Sequence, residues 1–241
     1  QQTPPDLGKS EAWYVADAAP GARVYAGLLP GVGQAECEAA IRDGRLKEVL
    51  YSYCPEVGDC IYIPAGTIHA IGAGLLVAEV QQASDTTYRL YDWDRIGDNG
   101  LPRPLQVAQA LSVADWQRGP VPPVSASTVS VEHRLSPGST ATCETLVQCP
   151  YFTLQRLTLN GRLRLSENQC QILIGLHGNG RLVPITGGGS QVAAGNLADT
   201  LREIADRPLQ LGSSVLVPYG AAPMELVSDG GLRILVATLP E

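Results

Sequence analysis

The chain has 241 residues, 44% hydrophobic and 17% charged, with 17 Lys and Arg against 24 Asp and Glu for a formal net charge of −7. That length and apolar content suffice for a real core, as one large all-β unit or two modest domains. No run of about 18 uncharged apolar residues occurs, so no membrane span is expected, and an acidic balance without basic clusters argues against nucleic acid. The N-terminal residues show no basic stretch leading into an apolar one. The six cysteines, Cys37, Cys54, Cys60, Cys143, Cys149 and Cys170, form no CxxC pair and have no histidine at zinc-finger spacing. Free thiols in a reducing cytoplasm are the simplest expectation.

Along the chain, Leu7-Gly8-Lys9-Ser10-Glu11-Ala12-Trp13-Tyr14 comes first. Residues two apart on a strand share a face, so if Glu11 points into a barrel, Lys9 does too. Between about 34 and 50 the pattern AECEAAIRDGRLKEV is helical, with Cys37, Ala40, Ile41 and Leu46 on one side. Gly44 divides it into two short helices. Cys60 to Ile63 is a short strand stopped by Pro64-Ala65-Gly66. His69 follows at the start of the next strand, where a side chain faces a barrel interior or its rim. On spacing alone a lone histidine there reads first as a hydrogen-bonded structural residue and second as a metal ligand. Leu75 to Val80 reads as a buried strand carrying Glu79, a carboxylate that needs a cation, a metal or several donors. Leu105 to Trp116 is a strand or short helix. Gly119-Pro120-Val121-Pro122-Pro123 is the best boundary, between a first domain at 1–118 and a second at 124–241.

Beyond that boundary, Phe152 to Leu159 alternates as a strand and meets Asn160-Gly161, a hairpin signal. Gln171 to Leu176, followed by His177-Gly178-Asn179-Gly180, repeats the theme. Leu211 to Gly220 echoes Val57 to Gly66: turn, apolar strand, then Pro-x-Gly. Where the first copy has His69, the second has Pro223. The echo points to a duplicated jelly roll. The fold expected is therefore all-β, two cupin-like jelly-roll barrels with a small helical insertion in the first.

The stretch PAGTIHAIGAGLLVAEVQQASDTTYRLYDWDR, together with the upstream Gly8-Lys9-Ser10-Glu11, resembles the signatures of the class I mannose-6-phosphate isomerases, zinc enzymes of the cupin superfamily, in their shorter bacterial branch. The resemblance covers essentially the whole chain. It implies that Glu11 and His69 are zinc ligands and that Arg89 lies near the substrate. It also implies a phosphosugar substrate, mannose 6-phosphate or fructose 6-phosphate, interconverted through an enediol. Lys9 and Glu79 then become candidates for moving protons or positioning substrate, with Asp85 nearby. Lys9, Arg89 and Arg95 are the cations available to a phosphate.

One departure stands out. The family takes two further ligands from a Gln-x-His motif, which this sequence lacks and which His133 and His177 do not replace. The resemblance implies a portion upstream of Gln1 that carries it. Two alternatives stay open: a non-catalytic sugar-binding or regulatory cupin, and an inactive fragment of the isomerase.

Overall fold

The computed structural model describes residues 7–93, 95–97, 99–185 and 208–240. Its architecture is all-β, two cupin-like barrels, and the chain divides into compact units Gln1–Val124 and Ser125–Glu241.

In the first unit β1 (Glu11–Ala18) lies between β4 (Cys60–Ile63) and β6 (Leu75–Gln81), while β2 (Val24–Leu28) lies between β3 (Leu50–Tyr53) and β5 (His69–Ile71). Every pairing is antiparallel. Trp13 and Val15 from one sheet pack with Val24 and Ala26 from the other and with Ile61 and Ile63 in one buried cluster. The period of two that places Trp13 and Val15 inward gives Glu11 the same face. Tyr25, one residue out of step with Ala26, joins a second cluster with Leu46, Leu50 and Ala110. That cluster packs α1 (Gln34–Arg42), the 3-10 turn Leu46–Glu48 and α2 (Val107–Val113) against the second sheet.

The helical insertion is thus interrupted at Gly44, whose φ is +68. The segment 105–116 resolves as a short helix. The proline-rich segment is bound to the first unit: Val121 donates its N–H to Ala26 O at 3.0 Å and packs on the Trp13 cluster, and Val124 donates to Cys60 O at 2.8 Å. The expected burial of Leu75 to Val80 needs correction. β6 pairs only with β1, and Leu76 is 57% exposed, because an edge strand has one uncovered flank.

Among its described residues the second unit forms one eight-stranded sheet. β12 (Pro208–Gln210), β11 (Asn179–Pro184), β14 (Met224–Thr238), β9 (Thr153–Arg164), β8 (Thr140–Gln148) and β7 (Ser127–Val129) follow in that spatial order. β10 (Gln171–His177) joins β14 to β13 (Ser214–Val217). Two expected reversals are bends instead. Asn160-Gly161 lies inside β9, and β10 and β11 run on along the same neighbour, β14. Gly161, Gly178, Gly230 and Gly231 all have positive φ, and the β9–β14 register slips between Ser228 and Leu232. These glycines bend neighbouring strands together, a barrel corner rather than a hairpin. The repeated strand is present: β4 and β13 each follow a glycine of positive φ, Gly58 or Gly212, and precede another, Gly66 or Gly220.

No helix among the described residues is long and apolar enough to cross a membrane. All six cysteines are free thiols; Cys37, Cys60 and Cys143 are buried, and burial pushes the Cys37 and Cys143 thiols up.

The Gly178 corner is sterically closed: a Cβ there would lie 1.9 Å from Gly231 O at a φ of +75, whereas at Gly212, φ +78, a Cβ would meet nothing within 4 Å. Gly178→Ala is expected to destabilise the chain by about 3 kcal/mol and Gly212→Ala by about 1 kcal/mol. Urea unfolding of the two variants checks the difference; equal costs would refute the corner.

Candidate metal and substrate site

β1 opens on a carboxylate that is almost entirely buried. Glu11 pairs in register with Ile63 of β4 on one side and Gln81 of β6 on the other, and only 1% of its side chain is exposed. A charge so placed needs compensation. Lys9 Nζ donates to Glu11 Oε2 at 2.7 Å and to Gln81 Oε1 at 2.7 Å, and lies 3.4 Å from Glu79 Oε1. The ammonium therefore sits between two carboxylates, with Lys9 and Glu11 on one face as the strand period predicts.

The other oxygen faces His69. Glu11 Oε1 lies 2.9 Å from His69 Nε2, yet no hydrogen bond closes on that oxygen among the described residues. The far ring nitrogen is engaged: His69 Nδ1 is 2.8 Å from Thr67 O. A carbonyl accepts only, so Nδ1 carries the proton. In a neutral imidazole the Nε2 lone pair then points toward Glu11, and two lone pairs 2.9 Å apart want a cation between them. A second proton on the ring would serve the same purpose. The residues present therefore fit a divalent metal as two of its ligands, a nitrogen and a carboxylate oxygen suited to zinc. Among the described residues no group of three His, Cys, Asp or Glu gathers at one metal position.

Burial pushes the Glu11 carboxyl up, but its contact with His69, in the doubly protonated form of the ring, and those with Glu79 and Lys9 outweigh that and hold it down at about 2. Glu79 moves the opposite way: burial raises it first and the neighbouring Glu11 carboxylate raises it further, outweighing the lowering effect of Lys9. The sequence placed Glu79 in a buried strand, whereas its side chain is 36% exposed at the rim. Its partner is Lys9, the compensation expected of it.

His69 and Lys9 open onto a cavity of about 510 Å3, also lined by Thr86, Thr87, Arg89 and Trp93. Arg89 is tied by its backbone rather than its side chain: its N–H donates to Gln106 Oε1 at 3.0 Å, and Gln106 N–H donates to Arg89 O at 2.9 Å. Asp92, close behind, accepts two hydrogen bonds from Arg103. These ties hold the wall while the Arg89 guanidinium makes no ion pair among the described residues. Asp85 and Arg95 are exposed and not part of the cavity wall. His133 and His177 belong to the second unit. Gln81, Thr67 and Trp13 were missed by sequence reasoning. Gln81 was open to inference, two residues beyond Glu79 on one strand face; Thr67 acts through a backbone carbonyl, which residue type does not announce.

A carboxyl held below its ordinary 4.5 stabilises the fold above that pH and loses the contribution as pH falls toward about 2. Stability of the metal-free chain should fall through that window, and Glu11→Gln should flatten the fall. Urea midpoints measured across the window check it; parallel curves for the two chains would refute it.

No family model matches the chain. Over 235 residues, 97% of its length, it is 32% identical to the mannose-6-phosphate isomerase of Bacillus subtilis strain 168, of which it spans 65%. The crystal structure of the mannose 6-phosphate isomerase from Bacillus subtilis matches with a TM-score of 0.76 at 27% identity, over 96% of this chain and 65% of that one. A mannose 6-phosphate isomerase bound with zinc and yttrium shares the fold at 11% identity, with a TM-score of 0.61 over 97% of this chain and 67% of that one. Along nearly its whole length the chain is a homologue of the mannose-6-phosphate isomerases, spanning 65% of one curated relative and about half of three others.

Proposed function

We propose that this chain carries the Glu11 and His69 half of the metal site of a zinc-dependent aldose–ketose isomerase that interconverts mannose 6-phosphate and fructose 6-phosphate. The observation that carries the reading is the convergence of the unbonded Glu11 Oε1 on His69 Nε2, whose ring is fixed from behind by Thr67 O. The homology and the zinc reported for a protein of the same fold support it.

The reaction moves a proton between C1 and C2 of the open-chain sugar through an enediol, and negative charge develops on the adjoining oxygens. Zinc, when bound, supplies Lewis-acid stabilisation of that charge. Arg89 faces the same cavity with a fixed positive charge and makes no ion pair among the described residues, which suits it to electrostatic stabilisation rather than base catalysis. Glu79, whose carboxyl is raised and lies against Lys9, is our candidate to hold or pass a proton, with Lys9 between it and Glu11. A non-catalytic sugar-binding reading has one observation in its favour: among the described residues only two ligands converge.

Zinc content and a coupled assay on mannose 6-phosphate, measured on the same sample, test the proposal. One zinc per chain, lost in His69→Ala, with turnover reduced about a hundredfold in Arg89→Ala, is the expected outcome. Fructose 6-phosphate binding without turnover would favour the sugar-binding reading. Neither zinc nor phosphosugar binding would reject both.

A further inference from the structure

Trp13 presents a puzzle of residue choice. It is 3% exposed in the cluster between the two sheets of the first unit, and its indole Nε1 has no hydrogen-bond partner among the described residues. Buried indoles ordinarily find one, and an unmade bond is a cost that Phe or Leu at this core position would avoid. Packing alone therefore does not explain a tryptophan. What the ring supplies, as Phe would and Leu would not, is a directional contact: the Trp13 and His69 rings meet edge to face, centroids 5.1 Å apart at 75°.

His69 needs that contact. It begins the three-residue strand β5, which pairs with β2 alone at the edge of its sheet, and 29% of its side chain is exposed. The hydrogen bond from Nδ1 to Thr67 O anchors the imidazole at one edge only. A second contact, set at an angle to the first, fixes the ring plane and hence the direction of Nε2. Glu11 and Trp13 are two apart on β1, so the strand that supplies the carboxylate also supplies the ring that aims the imidazole at it.

We propose that Trp13 is a positioning residue for His69, locking the imidazole plane so that Nε2 and Glu11 Oε1 converge on one point. This extends the metal reading of the site, and its test separates the two. Trp13→Phe keeps an aromatic edge, while Trp13→Met fills the space with a flexible, ringless chain. In the metal-free chain near pH 8, above the ordinary histidine range, 15N spectra of His69 report its tautomer and order. Zinc alone is then titrated against a chromophoric chelator.

Wild type and Trp13→Phe should give a single Nδ1–H tautomer, with Trp13→Met giving a mixed or broadened signal and binding zinc about tenfold more weakly. An unchanged His69 spectrum in Trp13→Met, or an equal disturbance in Trp13→Phe, would overturn the proposal. A wild-type chain that binds no zinc while its His69 spectrum responds to Trp13→Met would reject the metal reading and leave the positioning role standing.

Discussion

A carboxylate buried at the first residue of a central strand constrains everything around it. Glu11 is flanked on both sides by paired strands, so water cannot supply the compensation, and side chains must. Lys9 meets one oxygen, and the other is left opposite His69. A doubly protonated His69 would close an ion pair there, and a neutral one leaves that oxygen open to a cation.

The scaffold around it is arranged to hold that carboxylate and histidine still. β1 supplies Glu11, β5 supplies His69 and β6 supplies Glu79 and Gln81, so the site spans both sheets of the first unit. Ties behind the cavity fix Arg89 through its backbone, keeping the guanidinium available. The second unit repeats the turn, strand and turn that precede His69, but Pro223 stands at the corresponding place. A proline offers neither lone pair nor side-chain donor, so the repeat keeps the geometry without the chemistry.

Glycine set the limits of sequence reading. Asn160-Gly161 and the run through Gly178 carry every local mark of a reversal, and both are bends in strands that continue. The local signal says only that φ turns positive. Whether the chain then reverses or bends is decided by the strand alongside, here β14 with its own glycines at 230 and 231. Glu79 shows the same limit: apolar neighbours in sequence suggested burial, but an edge strand leaves a flank open.

The sequence by itself determined the all-β class, the helical insertion and its break at Gly44, the repeat, and the shared strand face of Lys9 and Glu11. Each follows from local periodicity or backbone freedom. Only the tertiary structure decided that His69 and Glu11, 58 positions apart, face one another with an oxygen unsatisfied. It also decided that Thr67 and Trp13 hold the imidazole from two directions and that the Arg89 guanidinium, in the cavity wall, makes no ion pair among the described residues. Those relations arise from strand register and sheet packing, which bring together residues that no local pattern connects.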